Sequence, residues 1–182
     1  MSFCLWLTGL PGSGKSTILD ELLKMFSESR VEAAVLNLDK IRKIVTPEPK
    51  YTEEERGIVY RSLVMMARLL TTECGKNVVI DATGNRRKYR DLARRLVPGF
   101  AEIYIECPLE ICTKREALRR GGHVGKDLYR RAGEGSLSGD MPGVSVPYEP
   151  PVDPEVIVRS DVLSPVESAE KIMGYIQSRG ST

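Results

Sequence analysis

A glycine-rich segment near the amino terminus constrains this chain more than any other part of the sequence. Residues 9–16 read GLPGSGKS and fit the pattern G-x-x-x-x-G-K-[ST]. An apolar run over 3–8 precedes the segment, and residues 15–29 follow with apolar side chains at helical spacing. In that context glycines let backbone N–H groups converge on phosphates, and the next helix directs its positive end at the same charge. The segment therefore predicts a binding site for a nucleoside triphosphate.

Individual residues of this segment have separate predicted roles. Lys15 is expected to reach the β and γ phosphates, and the Ser16 hydroxyl is expected to take a Mg²⁺ position. ATP and Mg²⁺ are the predicted cofactors. The predicted nucleotide-binding residues of the segment are Gly9, Pro11, Gly12, Ser13, Gly14, Lys15, Ser16 and Thr17.

Strands alternate with helices along the rest of the chain. Further strands are predicted over 33–38, 77–81, 101–107 and 156–158. Helices are predicted over 39–45, 52–75, 86–96, 109–120 and from 165 onward, and Asp39 is the expected cap of the first of these. This alternation predicts an α/β fold of the P-loop NTPase type, a parallel sheet with helices on both faces, whose ligands gather at the carboxyl ends of the strands.

One stretch interrupts the alternation. Residues 121–151 are rich in glycine, proline and charge and lack a helical period. We therefore predict a mobile lid over about 115–151. A chain of 182 residues suits one compact unit, so a single domain over 1–182 is expected.

Charge and cysteine content argue against several classes of protein. The 27 basic and 25 acidic residues give a net charge of +2, too small for a surface that coats nucleic acid or adsorbs to membranes. No apolar run approaches the ~20 residues that span a bilayer, and the first residues lack the basic region of a signal peptide. The four cysteines form no CxxC pair. We expect a reduced cytoplasmic chain with neither membrane nor nucleic acid as partner.

Two aspartates follow predicted strands near the glycine segment. Asp39 comes after the strand over 33–38, and Asp81 ends the strand over 77–81. Phosphoryl transfer needs charge neutralisation and a base beside the nucleophile. Together with Lys15, both carboxylates are predicted catalytic residues, and with Ser16 both are predicted metal residues. Asp39 is favoured as the base and Asp81 as the metal support, while a helix cap or a turn is the alternative for each.

Basic residues form two clusters that could meet an anionic acceptor. The first lies in the helix over 86–96, where Arg87 and Arg90 are candidates for an acceptor contact as much as for a solvated face. Arg94 and Arg95 are expected to be ordinary surface. The second cluster runs from residue 114 into the predicted lid, whose cations could arrive with closure.

Several segments resemble the adenylylsulfate kinases, which phosphorylate the ribose 3′-hydroxyl of adenosine 5′-phosphosulfate (APS) with ATP. Residues 105–115, IECPLEICTKR, look like that family's strand and helix with its nucleotide-side arginine, here Arg115. Residues 126–134, KDLYRRAGE, look like its lysine-bearing lid, and residues 147–158 are similar to the segment that leads into its final strand. The resemblance implies an ATP-dependent kinase with APS as its small anionic substrate.

The resemblance also implies residues for the acceptor. It implies substrate contact by Arg42, Arg56 and Lys126, and it matches Asp39 to the second acid of the family's Asp-Gly-Asp. The predicted substrate-binding residues are Asp39, Arg42, Arg56, Asn85, Lys126 and Arg131. Tyr51 and Tyr148 are candidate stacking groups, and packing of a loop is the alternative for each. A homodimer is left open.

Some positions depart from the family's pattern. Asn37 stands at the first acid of Asp-Gly-Asp, Val59 replaces an asparagine, and ATGN over 82–85 replaces Ile-Ser-Pro-Tyr/Phe. The aromatic residue of the family's Phe-Thr-Gly is Met141 here.

These departures leave alternatives open. Residues 36–42 and 79–85 look like the broad group that contains polynucleotide 5′-hydroxyl kinases. The acceptor could therefore be another small alcohol or a polynucleotide 5′-hydroxyl. A non-catalytic nucleotide sensor is the alternative from another class.

Overall fold

The structure, a computed structural model that describes residues 2–118 and 142–180, contains a five-stranded sheet with helices on both faces. The strands are Cys4–Thr8 (β1), Ala33–Asn37 (β2), Asn77–Asp81 (β3), Phe100–Glu106 (β4) and Val156–Arg159 (β5). The helices are Lys15–Glu28 (α1), Leu38–Val45 (α2), Glu53–Thr72 (α3), Arg87–Leu96 (α4), Leu109–Leu118 (α5) and Pro165–Gly180 (α6). The predicted α/β fold is confirmed.

The sheet is parallel throughout, with the strands in the order β2-β3-β1-β4-β5. All carboxyl ends therefore meet at one edge, and β1 delivers the glycine segment to the middle of that edge. Asp81, the last residue of β3, is paired in register with Leu7 of β1 and with Asn37 of β2. The order of the strands thus places Asp81 between the glycine segment and Asn37.

Alternate side chains of the central strand feed two separate apolar cores. Cys4 and Trp6 pack on the face covered by α3 and α4, whereas Leu5 and Leu7 pack on the face covered by α1 and α6. Both faces of β1 are fully buried, which explains its continuous apolar run. The Trp6 indole N–H donates to Ala82 O at 2.9 Å, so its one polar group is satisfied in the core.

The cap of α2 differs from the prediction. The helix begins at Leu38, directly after β2, and its N-cap is Asn37, whose side chain accepts a hydrogen bond from Lys40 N at 3.1 Å. The prediction that Asp39 caps this helix is wrong, because β2 ends at Asn37 and the helix begins at Leu38, before Asp39. Asp39 lies instead in the first turn, where its negative charge still favours the helix start.

Arg90 of α4 forms a buried ion pair, whereas the other arginines of this helix are exposed. Arg90 is 1% exposed, and its guanidinium donates to the Glu102 carboxylate, to Gly84 O and, at 2.6 Å, to Glu149 O. The hypothesis that Arg90 meets an anionic acceptor is therefore wrong. Arg94 is exposed, as expected, and it pairs with Glu155 at the surface. These contacts fix α4 to β4 and to the segment that leads into β5.

Most of the predicted lid lies outside the described residues, because the description ends at Leu118 and resumes at Pro142. Lys126 and Arg131 are in that interval, so their predicted substrate contacts stay predictions, and Met141 lies in it as well. Across residues 2–118 and 142–180, no helix has the length and apolar character needed to cross a membrane.

Candidate functional site

The glycine segment, called the cradle from here on, is residues 9–16, and its shape depends on two glycines with almost no space around them. A Cβ on Gly9 would lie 2.5 Å from Ile105 O, and a Cβ on Gly12 would lie 2.4 Å from Cys112 O. Gly12 also has a φ of 78°, which L side chains rarely adopt. The cradle therefore packs directly on the backbone of β4 and α5, and its loop conformation requires glycine at both positions.

The first turn of α1 faces the inside of the cradle. Gly14 caps the helix with a φ of 97°, and Ile18 N donates to Gly14 O at 3.0 Å, so the N–H groups of residues 15–17 point towards the loop. The Lys15 ammonium donates to Gly9 O at 2.8 Å and to Leu10 O at 2.9 Å. Ser16 and Thr17 are exposed at this helix start. The arrangement offers amide donors, one ammonium group and hydroxyls to a polyphosphate.

A serine that the sequence interpretation missed joins the cradle to Arg115. Ser160 Oγ donates to Ser13 O at 2.6 Å. The Arg115 guanidinium donates to Ser160 O at 2.7 Å and to Ser160 Oγ at 3.2 Å. Arg115, predicted at the nucleotide side, is thus held beside the cradle by the turn after β5. Ser160 could have been found by the rule that selected Asp39 and Asp81, because it directly follows a strand at the carboxyl edge.

Cysteines support the back of the cradle. Cys107 and Cys112 are buried, and Cys112 Sγ lies 3.7 Å from Cys107 O. Burial raises the pKa of the Cys112 thiol to about 12, so the thiol stays protonated and unreactive. These cysteines are packing groups in the described structure.

Asp81 lies next to the cradle, and its carboxylate is held from the side by Asn37. Asp81 is 9% exposed, and its Oδ2 accepts a hydrogen bond from Asn37 Nδ2 at 2.8 Å. Within residues 2–118 and 142–180, its Oδ1 receives no hydrogen bond. Asn37 is a second residue that the sequence interpretation missed as a site residue, although its place at the end of β2 marks it.

Two buried arginines lie on the other side of this edge, and with Asp39 and Asn85 they form what we call the acceptor side. Arg42 of α2 is 8% exposed and Arg56 of α3 is 7% exposed. Both guanidinium groups lie over the ring of Tyr51, at 5.3 and 5.8 Å from its centroid. Tyr51 thus orders the two arginines.

The charge of Arg42 is only loosely balanced. Its Nη1 is 3.7 Å from Glu55 Oε1, and in the described part of the chain neither atom makes a hydrogen bond. Glu55 Oε2 is occupied by the backbone N–H groups of Lys50 and Tyr51, at 2.6 and 3.1 Å. Arg42 Nη1 therefore has an unused donor in a buried position, which favours binding of an anion.

Tyr60 connects the acceptor side to the loop after β3. Its hydroxyl accepts a hydrogen bond from Gly84 N at 3.1 Å. Burial raises the pKa of Tyr60, the nearby Arg42 and Arg56 charges partly offset that rise, and the charge of Asp39 adds to it. Charged side chains of α2 and α3 and the backbone of the loop after β3 are therefore all near the Tyr60 hydroxyl. Asp39 itself is exposed to solvent.

Asn85 holds the segment around residues 147–149, which follows the interval 119–141. Its backbone carbonyl accepts from Glu149 N at 2.8 Å, and its Nδ2 donates to Pro147 O at 3.4 Å. Its Oδ1 is buried with no hydrogen bond among the described residues, so one acceptor remains for a ligand. The carboxylate of Glu149 is bound by Arg86 and by Arg87 N.

Tyr148 lies behind the cradle and not in an open stacking position. Its hydroxyl is 3.0 Å from Thr8 Oγ1, which itself donates to Thr83 O at 2.6 Å, so Tyr148 donates to Thr8. Its ring stacks on Tyr104 with centroids 6.3 Å apart. These contacts make Tyr148 a packing residue in the described structure, which favours the alternative that it packs a loop.

The oxygen donors at this edge fit a magnesium ion. Mg²⁺ is usually held by one or two carboxylates together with a hydroxyl, phosphates and water, so it requires no cage of several acidic residues. Asp81 offers its Oδ1, and Ser16 offers an exposed hydroxyl at the start of α1. Within the described residues, no group of three or more His, Cys, Asp or Glu side chains could hold a metal alone. A metal here would therefore bind together with a phosphate ligand.

Comparison with protein families and curated proteins gives consistent matches over most of the chain. A family model for adenylylsulphate kinase matches residues 1–159. A probable adenylyl-sulfate kinase of Halalkalibacterium halodurans is 35% identical in an alignment of 185 positions, which covers 99% of this chain and 85% of that protein. An adenylyl-sulfate kinase of Halothermothrix orenii is 33% identical in an alignment of 178 positions, which covers 96% of this chain and 89% of that protein.

Solved structures give the same picture for the fold. The APS kinase CysC of Mycobacterium tuberculosis, in complex with AMPPNP and APS, superposes with a TM-score of 0.83 at 26% identity and covers 97% of this chain and 98% of that chain. A gluconokinase from Sinorhizobium meliloti, at 20% identity and a TM-score of 0.58, shares the fold alone. The matched regions include both the cradle and the acceptor side.

Proposed function

Because this chain belongs to the adenylylsulphate kinase family, we propose that it transfers the γ-phosphoryl group of ATP to the ribose 3′-hydroxyl of APS. The observation that carries the proposal is the pair of buried arginines, Arg42 and Arg56, at the same sheet edge as the cradle. Arg42 is a buried cation whose charge is only loosely balanced, and such a charge is costly unless an anion joins it. The 5′-phosphosulfate group of APS is such an anion.

The cradle binds the triphosphate in this proposal. The backbone N–H groups at the start of α1 donate to the β phosphate, and Lys15 Nζ moves from the loop carbonyls to the β and γ phosphates. Ser16 and Asp81 would hold Mg²⁺, with Asp39 as the alternative carboxylate, and bound Mg²⁺ neutralises negative charge on the phosphates. Arg115, held by Ser160, lies at the nucleotide side.

The acceptor side orients APS. Arg42 and Arg56 bind its phosphosulfate group, and Asn85 Oδ1 accepts from a donor of the substrate. Lys126 and Arg131 stay predicted substrate contacts from the interval 119–141. Two cationic groups that are already ordered by Tyr51 lose little side-chain freedom when APS binds, so their positions are suited to orient the ribose.

The chemical step needs one base and in-line geometry. Asp39 accepts the proton of the 3′-hydroxyl as the 3′-oxygen bonds to the γ phosphorus. The bond from the γ phosphorus to the oxygen that bridges it to the β phosphate breaks, and ADP leaves with that oxygen. Lys15 stabilises the negative charge on the transferred group and on the leaving oxygen. The products are ADP and APS phosphorylated at the 3′ position.

A coupled assay of ADP formation tests the function. APS should raise ADP formation well above the rate with ATP alone, and ³¹P NMR should place the new phosphate on the 3′-oxygen. AMP retains the 5′-phosphate and the 3′-hydroxyl but lacks the sulfate, so it should be a poorer acceptor. If gluconate or an oligonucleotide 5′-hydroxyl stimulates ADP formation and APS does not, then that compound and not APS is the acceptor. ATP binding without stimulation by any alcohol would favour a nucleotide sensor.

A further inference from the structure

The side chain of Asn37 is fixed at both ends. Its Oδ1 accepts from Lys40 N at 3.1 Å as the N-cap of α2, and its Nδ2 donates to Asp81 Oδ2 at 2.8 Å. Because the helix amide is a donor only, it determines which end of the Asn37 amide faces the helix. The amide nitrogen must therefore face Asp81.

This contact restricts the carboxylate of Asp81. Asp81 and Asn37 are partners in register on neighbouring parallel strands, so their Cα positions are set by the sheet. With Oδ2 bound to Asn37, rotation of the carboxylate is limited, and Oδ1 remains as the oxygen without a hydrogen bond in residues 2–118 and 142–180. The register with Leu7 places Asp81 beside the strand that leads into the cradle.

We infer that Asn37 is a positioning residue, which orients the Asp81 carboxylate so that its second oxygen supports Mg²⁺ at the cradle. The inference rests on the metal role of Asp81 in the proposed function. An outer-shell hydrogen bond of this kind fixes the orientation of a ligand before the metal arrives. Asparagine is suited to the position because it combines an acceptor for the helix cap with a donor for a carboxylate. An aspartate could cap α2 but would place a second negative charge against Asp81.

The variant Asn37→Ser separates the two functions of the side chain. Serine caps a helix about as well as asparagine, so α2 should keep its start, but serine lacks the amide donor for Asp81. Binding of ATP is measured by calorimetry over a series of Mg²⁺ concentrations, without APS. We expect the Mg²⁺ concentration for half-maximal effect to rise about tenfold, and ATP binding in EDTA to stay unchanged.

A matched variant controls for the cap. Asn37→Ala removes both the cap and the donor, so it should show the same change in Mg²⁺ dependence as Asn37→Ser. Its unfolding midpoint should also fall by about 3 °C, because a lost cap destabilises the helix. A change in Mg²⁺ dependence that appears only in Asn37→Ala would come from the cap and would overturn the inference.

A double-mutant cycle with Asp81 shows whether Asn37 acts through this carboxylate. Asp81→Asn should raise the Mg²⁺ requirement more than Asn37→Ser does. If Asn37 acts through Asp81, then adding Asn37→Ser to Asp81→Asn should cause no further change. An equal effect of Asn37→Ser with and without Asp81 would overturn the inference.

The same measurements separate failure of the inference from failure of the proposed function. If Asn37→Ser leaves the Mg²⁺ requirement unchanged while Asp81→Asn raises it strongly, the inference is overturned but the proposed function is not. If Asp81→Asn leaves the Mg²⁺ requirement unchanged, Asp81 has no metal role, and the inference is overturned together with that role. Since ATP binding is measured without APS, the results do not depend on whether APS is the acceptor.

Discussion

The cradle takes its shape from one continuous stretch of backbone, whereas the acceptor side collects side chains from α2, α3 and the loop after β3. Gly9 and Gly12 press the cradle against backbone oxygens of Ile105 and Cys112, so its donors are amides that cannot rotate. The acceptor side depends on Arg42 and other long side chains, which are ordered by contacts with one another.

This contrast separates binding of the triphosphate, which many proteins share, from recognition of the particular acceptor. Backbone amides and one lysine recognise polyphosphate in any nucleotide-binding protein with this loop. Side chains from several elements can change one at a time, so the choice of acceptor can vary while the cradle stays constant. Mutations in the two regions should therefore have different kinetic signatures.

The largest expected effect comes from the lysine of the cradle. Lys15→Ala removes the only side-chain cation of residues 9–16, and phosphoryl transfer should fall by about 10³-fold or more because charge on the transferred group is no longer balanced. The measurement is ADP formation at saturating APS. Lys40→Ala, an exposed lysine of α2, is the control and should retain full activity. Near-normal transfer by Lys15→Ala would mean that the triphosphate does not bind in the cradle.

Asp39→Asn should separate transfer from nucleotide binding. Loss of the proposed base should lower kcat by about 10²-fold or more, while ATP affinity measured by calorimetry changes little. Asp91→Asn, at an exposed position of α4, controls for the loss of one negative charge. If Asp39→Asn instead lost most of its Mg²⁺-dependent ATP affinity and kept a normal kcat, Asp39 would be the metal support and Asp81 the candidate base.

Arg42→Lys tests recognition of the acceptor with the charge retained. Lysine cannot offer the planar pair of donors that a phosphosulfate group accepts, so the KM for APS should rise about tenfold, or about 1.4 kcal/mol. The KM for ATP should stay constant because the cradle is intact. Arg95→Lys, at an exposed position of α4, is the matched control. An equal rise in both KM values would contradict the division between the cradle and the acceptor side.

The sequence predicted the cradle and the strands well because both depend on local patterns. The glycine pattern is contiguous, and fully buried parallel strands such as β1 read as unbroken apolar runs. Asp81 was placed correctly at the carboxyl edge since it follows such a run. The positions of these groups depend on a few neighbouring residues, which a single sequence displays.

Contacts between distant segments were the features that the sequence could not supply. Nothing near Arg90 shows that its partner is the carbonyl of Glu149, 59 residues away in the chain. The capping role of Asn37 was hidden for a local reason, because it depends on the single residue at which β2 ends and α2 begins. A cluster of arginines has the same pattern whether it faces solvent or forms buried ion pairs.

The smallest expected effect concerns Tyr148, which joins the last part of the predicted lid to the strand before the cradle. Burial raises the pKa of Tyr148, so its hydroxyl remains a neutral donor to Thr8 at assay pH. Tyr148→Phe removes this hydrogen bond, and the free energy of unfolding measured with urea should fall by about 1 kcal/mol. Thr8 keeps its own bond to Thr83 O, so the cradle strand should stay in place and the KM for ATP should change little.

Tyr104→Phe is the matched control for this prediction. The rings of Tyr104 and Tyr148 stack on each other, but the Tyr104 hydroxyl makes no hydrogen bond within residues 2–118 and 142–180. Its removal should therefore leave stability unchanged. Equal losses from the two variants would mean that the hydrogen bond to Thr8 is not the cause of the loss. A raised KM for ATP in Tyr148→Phe alone would show that the cradle depends on a side-chain contact, as the acceptor side does.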